Sequence, residues 1–272
     1  FGITAQESTS STSIATESSP SPAAMAKLEP RHMTQDREVT GKDGAPMLLI
    51  PAGEFTMGRV GSDDESPVHR VYLDNFYMDK YEVSVRQFRD FLSGTGRTPS
   101  STTWENVSRE KDGDRPAAYM TWEEADTYCR YHSKRLPTEA EWEKAGRGTD
   151  TRLYPWGNDP PTPQRANFDK CCDWKGYQTL NVVTAYPDGV SPYGLHNMAG
   201  NVREWVADWY NGTYYAVSPT RNPKGPDIAM RRVARGGSWT NSKDYLRVTR
   251  RDTVPSDERS PTLGFRCAKS AQ

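Results

Sequence analysis

Few side chains in this chain have chemistry to offer. It holds 4 Cys and 4 His, and one stretch dense in Arg and aromatic residues, "RGGSWTNSKDYLRVTRRD" at 235–252, which carries neither. Cys129 and Cys267 stand alone, while Cys171 and Cys172 are adjacent. That spacing makes no zinc-finger or Cys-x-x-Cys-His haem motif. His32, His69, His132 and His196 are too scattered to read as a facial triad for iron. No Gly-x-Ser-x-Gly elbow marks a hydrolase serine. Binding chemistry remains. Ser238, Trp239, Asn241, Tyr245, Arg247 and Arg250 lie in the stretch, and Trp, Tyr and Arg are the types enriched at interface hot spots. Each Arg reads equally well as part of a solvated strand face or a structural ion pair.

A second motif is rich in oxygen. "NMAGNVRE" at 197–204 places the side chains of Asn197 and Glu204 close in sequence to the carbonyls of Gly200 and Val202. A hard cation such as Ca²⁺ takes this mixture of carboxylate, amide and backbone oxygens. The alternative is that Asn197 and Glu204 cap turns through direct hydrogen bonds. The adjacent Cys171 and Cys172 have three possible fates: a strained vicinal disulfide, pairing with another chain, or two thiols.

Regular elements must position these groups. "SVRQ" at 84–87, "TWEE" at 121–124 and "TEAE" at 138–141 are capping boxes, in which a hydroxyl and a Glu or Gln three residues on satisfy each other's backbone amides. Helical apolar spacing follows each, so helices are predicted at about 84–93, 121–133 and 138–146. "APMLLIPAGEFTMG", "HRVYLDNFYMDKYEVS" and the closing "TLGFRCAK" read as short strands. The long Pro-, Gly- and Asn-rich span after Gly146 reads as irregular chain held by something specific. The fold class is α+β, loop-rich with short strands and few helices.

Composition limits the functions available. Lys and Arg number 35 against 36 Asp and Glu, a net charge of −1, so no global basic field exists to hold nucleic acid. No run of about 18 apolar residues spans a membrane. Residues 1–44 are rich in Ser, Thr and Pro and read as an extended tether that cannot bury enough apolar surface to order itself. A folded domain is expected over 45–272. A start at Phe1, followed by such a tether, suits the mature form of an exported protein, periplasmic or extracellular.

Several pieces together resemble the formylglycine-generating enzyme (sulfatase-modifying factor) family: "IPAGEFTMG", "PAAYMTWEEADTYCRYHSKRLPTEAEWEKAGRG", "YPWGN", "ANF", "SPYGLHNMAGNVREW", "RGGSW" and "LGFRCA". They occur in the family's order over about 45–270. The resemblance implies a variant of the C-type-lectin fold. It implies a disulfide between Cys129 and Cys267, against which stands the reading of two reduced, buried thiols. It matches Asn197, Gly200, Val202 and Glu204 to a calcium site. It suggests a second site from Asn167 and the Phe168 carbonyl, with Asp173 and the Tyr177 carbonyl less surely aligned. Both ions would be structural.

The family's oxidase activity uses two Cu(I)-binding cysteines, because Cu(I) chemistry needs soft thiolates. They lie three and eight residues beyond the Ser of the "GGS" motif. That Ser is Ser238 here, so the two positions hold Asn241 and Leu246. Arg203 stands where the family usually carries Trp. The resemblance therefore implies that copper-dependent cysteine oxidation is absent and that no copper is bound. Two functions remain. One is a non-catalytic, calcium-stabilised binding or accessory protein of an exported complex, a pseudoenzyme whose substrate groove holds a protein or peptide partner. The other is an enzyme of altered chemistry, in redox or in cofactor or pigment maturation, for which no acid, base or metal can be assigned.

Overall fold

In the computed structural model of the chain, residues 1–2, 37–62, 64–98, 104, 110–171 and 179–271 are described. The chain divides into two compact units, 1–35 and 36–272. Among the described residues, every strand and helix lies in the second unit.

Ten short strands and three α-helices are found among the described residues. Strands β1 (Glu38–Thr40), β2 (Pro46–Ile50), β3 (Gly53–Met57), β4 (His69–Leu73) and β5 (Phe76–Asp79) come first. Helices α1 (Val85–Thr95), α2 (Trp122–Tyr131) and α3 (Glu139–Arg147) come next. Strands β6 (Arg203–Trp209), β7 (Arg232–Arg235), β8 (Arg251–Val254), β9 (Leu263–Phe265) and β10 (Ala268–Ser270) complete the domain. One sheet has the order β1-β2-β5-β10 and another β8-β7-β6-β9, while β3 and β4 form a separate pair. Because β1 pairs with β2 from Glu38 to Thr40, the fold includes residues on the N-terminal side of Ala45. The composition change at residue 45 therefore does not mark its edge.

All three helices start at their capping boxes, with Ser84, Thr121 and Thr138 each accepting from the third backbone amide and receiving the reciprocal bond. The segment "TLGFRCAK" is two strands rather than one. Leu263–Phe265 pairs in parallel with β6, and Ala268–Ser270 pairs antiparallel with β5. The residues between them, Arg266 and Cys267, cross from one sheet to the other and are fully buried. Cys267 is disulfide-bonded to Cys129 of α2, closing a separation of 138 residues. In the chain-entropy model a loop of that size contributes about 5 kcal/mol.

The aromatic residues build the interior. One cluster gathers Phe88, Phe91, Tyr128, Trp205, Trp239 and Phe265, and a second gathers Phe55, Phe76, Trp142 and Tyr215. Helix α3 lies buried along its whole length although its sequence is "EAEWEKAGR". Its acids find cationic partners. Glu139 receives Arg251, Glu143 receives Arg235 and Arg147, and Glu141 receives Arg135. Lys144 differs, because among the described residues it meets only neutral acceptors, donating to the carbonyls of Pro51 at 2.7 Å and Gly53 at 2.9 Å.

Burial without a carboxylate partner pushes the Lys144 ammonium down to about 8. Above that pH the unfolded chain, whose lysine titrates near 10.5, binds more protons than the folded one. Stability from this group therefore rises with pH between about 8 and 10.5. Urea unfolding across that window should show the rise in the native chain and its loss in Lys144→Met; parallel profiles would refute the assignment.

Candidate functional site

Three loops meet beside the β8-β7-β6-β9 sheet: "ANF" at 166–168, "NMAGNVRE" at 197–204 and "RGGSWTN" at 235–241. Backbone hydrogen bonds lace them together. Asn201 donates to the Asn167 carbonyl at 2.8 Å, Gly200 to the Gly236 carbonyl at 2.9 Å, and Trp239 to the Asn201 carbonyl at 3.0 Å. Lys170 and Asp169 donate to the carbonyls of Trp239 and Asn241 at 2.8 and 2.9 Å. Gly200 is required at this crossing. Its φ is +80°, and a Cβ there would lie 2.4 Å from the Asn167 oxygen. Gly237, at φ +66°, likewise leaves no room, with the Tyr245 carbonyl 2.8 Å from a Cβ.

The two positions matched to copper thiolates are both occupied structurally. The Asn241 side-chain oxygen accepts from the Ser238 backbone N–H at 2.9 Å and from its hydroxyl at 2.8 Å, closing the turn on itself. Leu246 is fully buried against Tyr154, Ala166 and Ala199. The other groove residues separate into two groups. Trp239 is a core residue, 3% exposed, with its indole N–H donating to the Pro261 carbonyl at 3.1 Å. Arg247 turns away to Glu65 at 2.9 Å. Arg203 and Arg250 both approach Asp252, at 3.9 and 3.8 Å, and the Arg250 guanidinium lies over the exposed Tyr245 ring at 4.9 Å.

The oxygen-rich motif sits in a buried charged cluster. The Glu204 carboxylate accepts from Arg266 through both oxygens at 2.7 Å and from the Trp142 indole at 2.9 Å. Beside it, Glu82 accepts from the amides of Asn197, at 2.8 Å, and Asn201, at 3.1 Å. Glu82, Glu204 and Arg266 are all fully buried. Two carboxylates thus face one guanidinium. Burial, reinforced by the Glu204 charge, pushes the Glu82 carboxyl up to about 8. A cation held through Asn197 and Glu204 would favour the ionised form of Glu82, but it would share Glu204 with Arg266. At Asn167 the fit is more direct. Its side-chain NH₂ donates to the carbonyl of Thr179 and the oxygen of Asn201, while its own oxygen is buried without a partner among the described residues. A hard cation is the kind of group that satisfies such an oxygen. The Phe168 carbonyl adjoins it; Asp173 and Tyr177 lie outside the described residues, as does Cys172. Among the described residues no three His, Cys, Asp or Glu side chains converge as a metal set, so amide and carbonyl oxygens would carry the coordination.

Sequence reasoning passed over Glu82, Arg235, Arg251 and Arg266. No local signal separates a buried, paired Arg from a solvated one. The one available hint was the charge density of α3, where a helix flanked by "RLP" and "GRG" carries Glu139, Glu141, Glu143, Lys144 and Arg147 among its apolar positions.

A model of the sulfatase-modifying factor enzyme 1-like domain matches residues 33–271. The formylglycine-generating enzyme of Streptomyces coelicolor is 36% identical over 313 residues, covering 93% of this chain and 96% of that one. A Mus musculus protein named inactive C-alpha-formylglycine-generating enzyme 2 is 32% identical over 282 residues, covering 83% and 86%. Among solved structures, PvdO from Pseudomonas aeruginosa superposes with a TM-score of 0.73 at 23% identity, covering 86% of this chain and 98% of that one, which shows the fold.

Arg266 holds the excess of buried carboxylate in check. Arg266→Met leaves Glu204 and Glu82 without their cation and should destabilise the domain by about 3–5 kcal/mol in denaturant unfolding. A loss under about 1 kcal/mol, the range of an exposed pair, would show that the cluster is not buried as described.

Proposed function

Because this chain belongs to the sulfatase-modifying factor enzyme 1-like family, sharing the fold and motif order of the formylglycine-generating enzymes, we propose that it is a non-catalytic member used for binding. In this reading it is a calcium-stabilised accessory or scaffold protein of an exported complex, and its protein or peptide partner docks on the inherited groove wall.

The observation that carries the reading is the state of the two residues matched to the copper thiolates. Asn241 is consumed as the acceptor that closes the Ser238 turn, and Leu246 is packed in the interior. Neither side chain is a thiol, and the Leu246 side chain has no atom that ligates a metal. A relative of similar length, the mouse protein described as inactive, supports the idea that the family's fold is retained apart from the oxidase chemistry. Calcium belongs to the same proposal. Asn167 would be a ligand through its side-chain oxygen, which has no partner among the described residues, together with the carbonyl of the next residue, Phe168; Asn197, Glu204 and the carbonyls of Gly200 and Val202 would form a second set. In both places the ion would pin loops that have few sheet ladders of their own.

The oxidase question has a direct test. Purified protein supplied with Cu(I) and a cysteine-containing peptide should consume oxygen no faster than copper and peptide alone. Protein-dependent oxygen uptake with conversion of the peptide thiol would overturn the proposal.

A further inference from the structure

The three arginines of the groove wall do not have equal standing. Arg247 is the most engaged, since it binds Glu65 through one Nη at 2.9 Å and the Asp244 carbonyl through the other, and its Nε is buried without a partner among the described residues. Among the described residues Arg203 makes one side-chain hydrogen bond, from Nη2 to the Thr262 hydroxyl at 3.0 Å, and its buried Nε has no partner. The Arg250 guanidinium makes no hydrogen bond among the described residues. It is held only by the Tyr245 ring beneath it and by Asp252 at 3.8 Å. Both guanidiniums stand beside one carboxylate, Arg203 toward Oδ2 and Arg250 toward Oδ1, each beyond hydrogen-bonding distance. Their side chains keep 22% and 31% of their surface exposed.

A guanidinium offers five N–H donors in a planar fork that matches a carboxylate edge to edge. Here two forks are oriented in advance, one by Thr262 and one by the aromatic face of Tyr245. Each Nε is buried, so the donors left for a ligand are on the Nη atoms, of which only Arg203 Nη2 is hydrogen-bonded among the described residues, and one carboxylate stands beside both charges. Burial raises the Asp252 carboxyl above its ordinary value. Tyr245, 39% exposed, adds an apolar rim on which a bound chain could pack.

The geometry points to a binding surface for an acidic peptide segment, formed by Arg203, Arg250 and Tyr245, in which ligand carboxylates take the guanidinium edges that Asp252 leaves open. The inference rests on the binding reading above and supplies its partner chemistry. A polyphosphate backbone fits less well. Asp252 sits between the two cations and would repel a continuous row of phosphates, whereas spaced Glu or Asp side chains can straddle it.

The probe is a short fluorescent peptide rich in Glu and Asp, with its Gln and Asn counterpart and a single-stranded oligonucleotide as comparisons, read by anisotropy. The acidic peptide should bind, the neutral one should not, and the oligonucleotide should bind more weakly. Arg203→Gln with Arg250→Gln should weaken the acidic peptide by at least about tenfold, roughly 1.4 kcal/mol. Asp252→Asn should tighten it, a gain that mere structural damage would not produce. Arg203→Trp serves as a second variant, which removes the guanidinium but keeps a large planar side chain, and it too should weaken binding. Thermal melting confirms that each variant is folded. Equal binding of acidic and neutral peptides, no binding of either, preference for the oligonucleotide, or indifference to all three variants would overturn the inference. If a partner isolated with the protein then binds undiminished to the Arg variants, the accessory role stands and only this surface is wrong. Copper-dependent thiol oxidation would instead remove the accessory role itself.

Discussion

The buried pairing of Arg235 with Glu143 is the constraint on which the rest of the domain hangs. Both side chains are fully buried, one at the end of β7 and the other in the middle of α3. Arg235 also donates to the carbonyls of Thr249 and Arg250, so one guanidinium joins the central helix, the sheet and the chain that leads into β8. Arg251, its cross-strand partner on β8, repeats the device by binding Glu139 and the carbonyls of Asp64 and Asn211. Glu65 extends it to Arg247 and Thr249. Replacing one member of such a set strands its partner's charge in the interior, so these residues are far less replaceable than surface ion pairs.

This ionic interior explains how a chain with 34% hydrophobic residues holds so much irregular structure in place. The strands are three to seven residues long and cannot by themselves fix the loops that cross between 147 and 203. Buried arginines do so by donating to several carbonyls at once, satisfying backbone that no ladder reaches. The same logic shapes the groove wall. The turn from Arg235 to Asn241 is held by a buried guanidinium at one end and by the Ser238–Asn241 bonds at the other, and the side chains of Arg203 and Arg250 take no part in these bonds.

Much of this was legible in the sequence. The capping boxes located the starts of all three helices, because a cap is a local exchange of hydrogen bonds within four neighbouring residues. The motif series identified the fold, and the pairing of Cys129 with Cys267 that the family implied is present. Other features were hidden for a physical reason. The split of "TLGFRCAK" into two strands depends on which sheets lie beside it, and Leu263–Phe265 and Ala268–Ser270 carry no turn residue between them. Helix α3 read as amphipathic, with Trp142 and Ala145 inward, whereas every side of it is buried. Glu143 and Glu139 meet Arg235 and Arg251 across 92 and 112 residues, separations no window of sequence can join. Trp239 looked like a binding residue by type, yet its bulk is spent on the core, and the groove is left to the arginines around it.

The proposal is of a fold kept without copper chemistry, with oxygen-ligated calcium bracing the loops. Elemental analysis of protein purified without added metal tests it most directly. Calcium in stoichiometric amount with neither copper nor iron is the predicted result; stoichiometric copper or iron would contradict it.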